Sequence, residues 1–200
     1  MLIEPFNDLH AFLERMDDFF TKAPVHNAPV LKILTTLEKN LNQFGEEDPW
    51  FFCVSDEGGN ILGAGLQTPP MPLVMTDMPN SAVCRLVEYL KNNNIELGGL
   101  RGPLKPAQLF VQLWHESHTE PVNPVVELKL YSLDTVTHET KTSGKLKQAT
   151  LDDLDLVHAW LNAFALEVAL PHGGPSRERA SHRIKQGEYF FWEVDGVMTC

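Results

Sequence analysis

Apolar positions recur with a helical period at the start of the chain. Leu9, Phe12, Leu13, Met16, Phe19 and Phe20 share one face, which predicts a helix capped by Asn7 or Asp8. A second helix is expected after Asn27, with Pro29 in its first turn and Val30, Ile33, Leu37 and Leu41 as its stripe. The pattern then changes. The run 50–54 is aromatic and β-branched, residues 55–60 are rich in turn formers, and 61–67 is apolar again, which predicts a hairpin. After Pro69, Pro70 and Pro72 comes a short strand at 73–75. A helix capped by Asn80 or Ser81 carries Val83, Leu86, Val87 and Leu90. A weak strand is expected over 95–100, a helix from Pro106 through Trp114, and an alternating strand over 125–133.

Residues 136–144 are polar and read as a linker between a domain over 1–135 and a second over 145–200. In the second domain a strand is expected over 146–150. A helix starting at Asp152 or Asp153 carries Leu154, Val157, Trp160, Leu161, Phe164 and Val168. The loop 170–175 leads to a helix over 177–186 with Ser176 as its cap and Gly187 as its stop. The strand 189–194, the turn at Asp195-Gly196 and a strand start at 197–200 complete the chain. Each half thus reads as short strand, helix, helix, aromatic strand and glycine-containing turn. Trp50-Phe51-Phe52 matches Tyr189-Phe190-Phe191 at a spacing of 139 residues, and the two triplets are expected on equivalent central strands. The second series stops inside its hairpin, which implies a longer parent protein and self-association through the C-terminal segment.

Charge narrows the function classes. The net charge is −11, and residues 1–100 carry 6 basic against 14 acidic side chains. Such a chain is a poor partner for nucleic acid or for an anionic membrane surface. Three scattered cysteines with no CxxC pair point to reduced thiols and a cytoplasmic setting, with Cys53 and Cys84 as core residues. No stretch is long and apolar enough to span a membrane.

A resemblance rests on Gly63-Ala64-Gly65-Leu66-Gln67-Thr68-Pro69-Pro70 with Leu73, and on Leu100-Arg101-Gly102-Pro103. In the second half it rests on Gln148-Ala149-Thr150, Asp153-Leu154, Leu156-Val157 and Trp160, then on Phe191-Trp192-Glu193 and Asp195-Gly196. In this order and spacing the chain resembles the GNAT N-acetyltransferases, in particular two-domain bacterial members with a degenerate N-terminal GNAT-like domain. The resemblance implies a mixed, mostly antiparallel sheet flanked by helices, an α/β fold, followed by the start of a second such unit. It implies acetyl transfer from acetyl-CoA to an amine-bearing acceptor, a small molecule or peptide. In the family a glycine-rich loop at a helix N-terminus binds the cofactor pyrophosphate. Here the corresponding residues 73–82 contain no glycine and include Asp77 and Pro79. The 200-residue chain is therefore not expected to bind acetyl-CoA tightly, and no catalytic or cofactor-binding residue is assigned in it. The alternative is a non-catalytic binding, regulatory or oligomerisation module.

The resemblance also implies that the segment between the first two helices of the second domain lines the acceptor site. Glu167 and His172 would contact an amine there, and Arg177 would meet an acidic acceptor or the cofactor. The other polar clusters read as structural. His115 and His118 are spaced i, i+3 rather than i, i+4 and mark a helix end, not a zinc site. Asp152, Asp153 and Asp155 are first-turn acids. Arg177, Arg179, Arg183 and Lys185 form a solvated basic face.

Overall fold

The protein is described by a computed structural model covering residues 1–116, 126–137, 142–170 and 173–199. Contacts divide the mixed α/β chain into a first unit, Met1–Pro124 with Leu128–Ser132, and a second, Val125–Glu127 with Leu133–Cys200.

In the first unit, β1 (Leu2–Phe6), α1 (Leu9–Lys22) and α2 (Pro24–Lys39) precede β2 (Trp50–Ser55), β3 (Ile61–Gln67) and β4 (Leu73–Met75). Then come α3 (Asn80–Asn92), β5 (Leu100–Arg101) and α4 (Leu104–His115). The strands lie in sequence order, antiparallel from β1 to β4 and parallel between β4 and β5.

Both faces of this sheet are covered, which explains the unbroken apolar run of β2. Phe51 and Cys53 face α1 and α2, among Phe12, Met16, Leu34 and Leu37. Phe52 and Val54 face α3 and α4, among Leu86, Leu90 and Phe110. Asp8 caps α1 through a 2.7 Å bond from the Ala11 N–H.

Several boundaries differ from the sequence reading. The second helix begins at Pro24, because proline at N1 presets φ and its missing N–H is no loss there. Asn27 is buried within the helix instead of capping it. The strand expected over 95–100 shrinks to Leu100–Arg101. The expected strand over 125–133 is not a strand in its described part, 126–133, which pairs with neither sheet.

Cys84 is exposed rather than in the core: the buried stripe of α3 is Ala82, Val83, Leu86, Val87 and Leu90, and residue 84 falls outside it. Cys53 is buried beside Glu4, and its thiol is pushed up to about 11, chiefly by burial and then by the Glu4 charge. Only the thiolate reacts. Alkylation of the native chain read peptide by peptide is therefore expected to modify Cys84 fast and Cys53 only on unfolding. Equal rates would contradict this packing.

In the second unit, β6 (Lys145–Gln148) leads through a 3-10 turn (Leu151–Asp153) to α5 (Leu154–Glu167) and α6 (Arg177–Lys185). β7 (Phe190–Val194) and β8 (Val197–Met198) follow, in an antiparallel sheet of order β6-β7-β8. This is the pairing of β1, β2 and β3; the aromatic strand lies between its two neighbours in both units, central in the three-stranded sheet but second of five in the first unit.

The register within the aromatic triplet differs from the expected match. Phe51 faces the first helix pair, and in the second unit the residue that does so is Phe191, buried with Val157 and Ile184. The spacing between residues on equivalent faces is thus even, 138 to Tyr189 or 140 to Phe191, rather than 139, because a one-residue slip turns every side chain to the other face. Phe190 lies on the far face, 52% exposed, and shares that face with Leu146 at 65%, opposite Trp192, and Val197 at 63%, opposite Val194. The first unit covers that face with α3 and α4.

The entry to α5 is fixed by a capping box. Asp153 accepts from the Thr150 N–H at 2.9 Å and from its hydroxyl at 3.0 Å. The Thr150 N–H leads the interactions that hold the Asp153 carboxyl below its ordinary value. A depressed carboxyl stabilises fully above the ordinary carboxylate pKa, and the effect is lost as pH falls through the folded value. Acid titration followed by helix signals at 154–157 is expected to show loosening in that range. In Asp153→Asn that pH dependence disappears, and Thr150→Ala costs about 1 kcal/mol. An unchanged titration in Asp153→Asn would remove the role given to this cap.

Candidate functional site

Two places carry the expectations about function, one in each unit.

In the first unit it is the junction of β4, α3 and β5. The sheet holds one parallel pair there, with Leu73 opposite Leu100 and Val74 opposite Arg101. Past these residues the side chain of Met75 fills the space over Gly102: a Cβ at 102 would lie 2.7 Å from Met75 Cγ and 3.3 Å from its Cε. Thr76 is buried; its hydroxyl accepts from the Ala64 N–H at 2.9 Å and donates to the Asp77 carbonyl at 3.2 Å.

The turn into α3 is therefore built from bonds within the protein. Pro79 stands at the helix N-cap with no side-chain cap, and Asp77 is exposed before it. A helix N-terminus attracts anions through free N–H groups and its dipole. Pro79 has no N–H to offer, and the Asp77 carboxylate opposes a phosphate.

In the second unit it is the region between α5 and α6. Glu167 is the last residue of α5 and exposed, Arg177 is the first of α6 and exposed, and His172 lies outside the described residues. Arg177 forms a short ion pair with Asp155, in the first turn of α5. Twelve residues of helix, about 18 Å at 1.5 Å per residue, separate Asp155 from Glu167. The structure thus does not bring Glu167 and Arg177 together; they mark opposite ends of α5.

What it does bring together is a polar row on α5 that the sequence reading did not single out. Asp155, His158 and Asn162 recur at i, i+3, i+7, one helical face. The Asn162 amide donates to the His158 carbonyl at 2.8 Å and lies 3.0 Å from His158 Nε2. Gly174 closes against it, since a Cβ there would meet Asn162 Oδ1 at 2.4 Å. Arg177 completes the row through Asp155. The spacing was visible in the sequence; the return of the chain past Asn162 was not. The row offers an imidazole, an amide and an ion pair along one helix face, groups that can hydrogen-bond a polar or amine-bearing molecule.

A third feature is an open groove of about 550 Å³ on the first unit, lined in part by Cys84, Arg85, Glu88, Lys91 and Leu113. The Lys91 ammonium is already used, donating to the Leu113 carbonyl at 2.7 Å.

Among the described residues no helix is long and apolar enough to cross a membrane, and no group of three or more potential ligands could hold a metal. No family model, no curated protein and no solved structure matches this chain.

Proposed function

We propose that the chain is built of acetyltransferase-type units of the GNAT kind, in a protein that moves acetyl from acetyl-CoA to an amine. The first unit serves as a non-catalytic module. The observation that carries this reading is the first unit's strand order, antiparallel from β1 to β4 with a single parallel step to β5 across α3. A mixed, mostly antiparallel sheet flanked by helices is what the sequence resemblance implies; here the parallel pair lies at the sheet edge. The recurrence of β1-α1-α2-β2-β3 as β6-α5-α6-β7-β8 supports a second unit of the same kind.

The first unit is assigned no chemistry because Met75 packs over Gly102 beside the parallel pair, and the approach to α3 carries the exposed Asp77 carboxylate and Pro79, which disfavour an anion. Acceptor binding belongs to the second unit, along Asp155, His158, Asn162 and Arg177, with Glu167 at the far end of α5. An amine there would be oriented for direct attack on the thioester, which gains from proximity and from removal of its proton. The exposed Leu146, Phe190 and Val197 favour coverage of that unit's far face by a partner.

Supplying the protein that carries this chain with acetyl-CoA and a panel of primary amines tests this reading. Amine-dependent release of coenzyme A, with acceptor KM raised by Asn162→Ala, is the expected result. A folded protein that releases none with any amine favours the alternative, a binding or regulatory module.

A further inference from the structure

The segment 126–133 is exposed throughout and joins neither sheet, yet its pattern is that of a strand. Val126, Leu128 and Leu130 alternate with Glu127 and Lys129, and their exposures are 52%, 77% and 56%. Apolar side chains bared in a row, on backbone that pairs with no strand among the described residues, are an open template for another strand.

The charges select the partner. When a strand pairs antiparallel with its own copy about a two-fold axis, residues equally distant from the axis face each other. With the axis at Leu128, Glu127 of each chain faces Lys129 of the other, and Val126 faces Leu130. The two leucines at 128 then meet on the axis. All apolar residues fall on one face, and both cross-strand charge pairs are opposite in sign. Neither Glu127 nor Lys129 has an ion pair among the described residues, so both are free to form these.

The geometry points to residues 126–130 as a homodimerisation strand, pairing antiparallel with the same segment of a second copy of this chain. The strand absent from the single chain forms in the pair. This does not depend on the acetyltransferase reading, and it uses a different surface from the far face of the second unit.

Sedimentation over a wide concentration range tests it, with variants whose sites are exposed. The wild-type chain is expected to dimerise. Lys129→Glu alone, or Glu127→Lys alone, puts like charges opposite each other twice and weakens the dimer by about tenfold. The combined change Glu127→Lys with Lys129→Glu restores it. In a background with Cys84→Ser and Cys200→Ser, Leu128→Cys is expected to crosslink two chains on oxidation, and Tyr131→Cys is not. A wild-type monomer at every concentration would overturn the proposal and leave the segment to an edge of its own chain. Single charge reversals without effect would overturn it by placing association elsewhere, such as on the far face bearing Phe190. Failure of the double reversal to rescue would overturn the register.

Discussion

Replacing Phe52 by alanine is expected to lower the stability of the first unit by about 3–5 kcal/mol, the range for emptying a buried aromatic site. The side chain is fully buried between the sheet and α3, with Trp50 tilted against it at 5.5 Å between ring centroids. Little can collapse into the gap, because Gly65 opposite it carries no side chain. The second unit supplies the contrast. Phe191→Ala is expected to cost about 3 kcal/mol or more, a large share of what so small a core provides. Phe190→Ala, at a half-exposed position, is expected to change stability by less than about 1 kcal/mol. Denaturant unfolding followed at probes within each unit reads all three. If Phe190→Ala proves the more damaging of the two adjacent changes, the register assigned to β7 is wrong.

Gly65→Ala is the second large effect, and it acts by crowding. A Cβ at 65 would stand 2.5 Å from Phe52 Cζ and 2.5 Å from the Val74 carbonyl oxygen. The ring sits in a fully buried cluster with Leu86 and Leu90, which leaves it little room to turn away, and the carbonyl belongs to the β3–β4 ladder. Overpacking of this kind costs roughly 1–3 kcal/mol, and a backbone obstacle puts this site at the upper end. Placing it in the Phe52→Ala background relieves the ring clash, so the two changes together are expected to cost less than their sum. Strict additivity in the double-mutant cycle would contradict the close approach of these residues.

The parts of the fold legible in the sequence are those set by local pattern. The stripe of α1 from Leu9 to Phe20 and the doubly buried run of β2 each needed only periodicity and burial. Boundaries failed where two signals competed: Pro24 and Asn27 both mark helix starts, and the earlier one won because nothing stops a helix between them. The box at Thr150 and Asp153 fits the spacing of a capping pair; its cap lies two or three residues before the start expected at Asp152 or Asp153, and a 3-10 turn over Leu151–Asp153 leads into α5 at Leu154. The alternation over 125–133 predicts a strand, but its described part, 126–133, forms none, since a strand needs a neighbour and neither sheet among the described residues pairs with it.

The candidate site was legible least. Glu167 and Arg177 are close in sequence, but the connection runs back along α5, so they end up at opposite ends of it. Asp155, His158 and Asn162 are ordinary helix-surface residues until Gly174 and Arg177 close against them. The features before α3 that oppose an anion are, by contrast, local: Pro79 at the N-cap and the exposed carboxylate of Asp77. A missing glycine, a proline and a carboxylate act locally, and the structure adds Met75 as the filler of the strand junction.

Calorimetric titration of the chain with acetyl-CoA, compared with Asp77→Gly combined with Pro79→Gly, tests the account most directly. The double change removes the opposing carboxylate and returns an N–H to the N-terminus of α3. The account predicts no tight binding by the wild-type chain, and measurable affinity, at least about tenfold higher, in the variant through the helix-terminus interaction. A low-micromolar dissociation constant for the wild-type chain, or a folded variant no better than wild type, would contradict it.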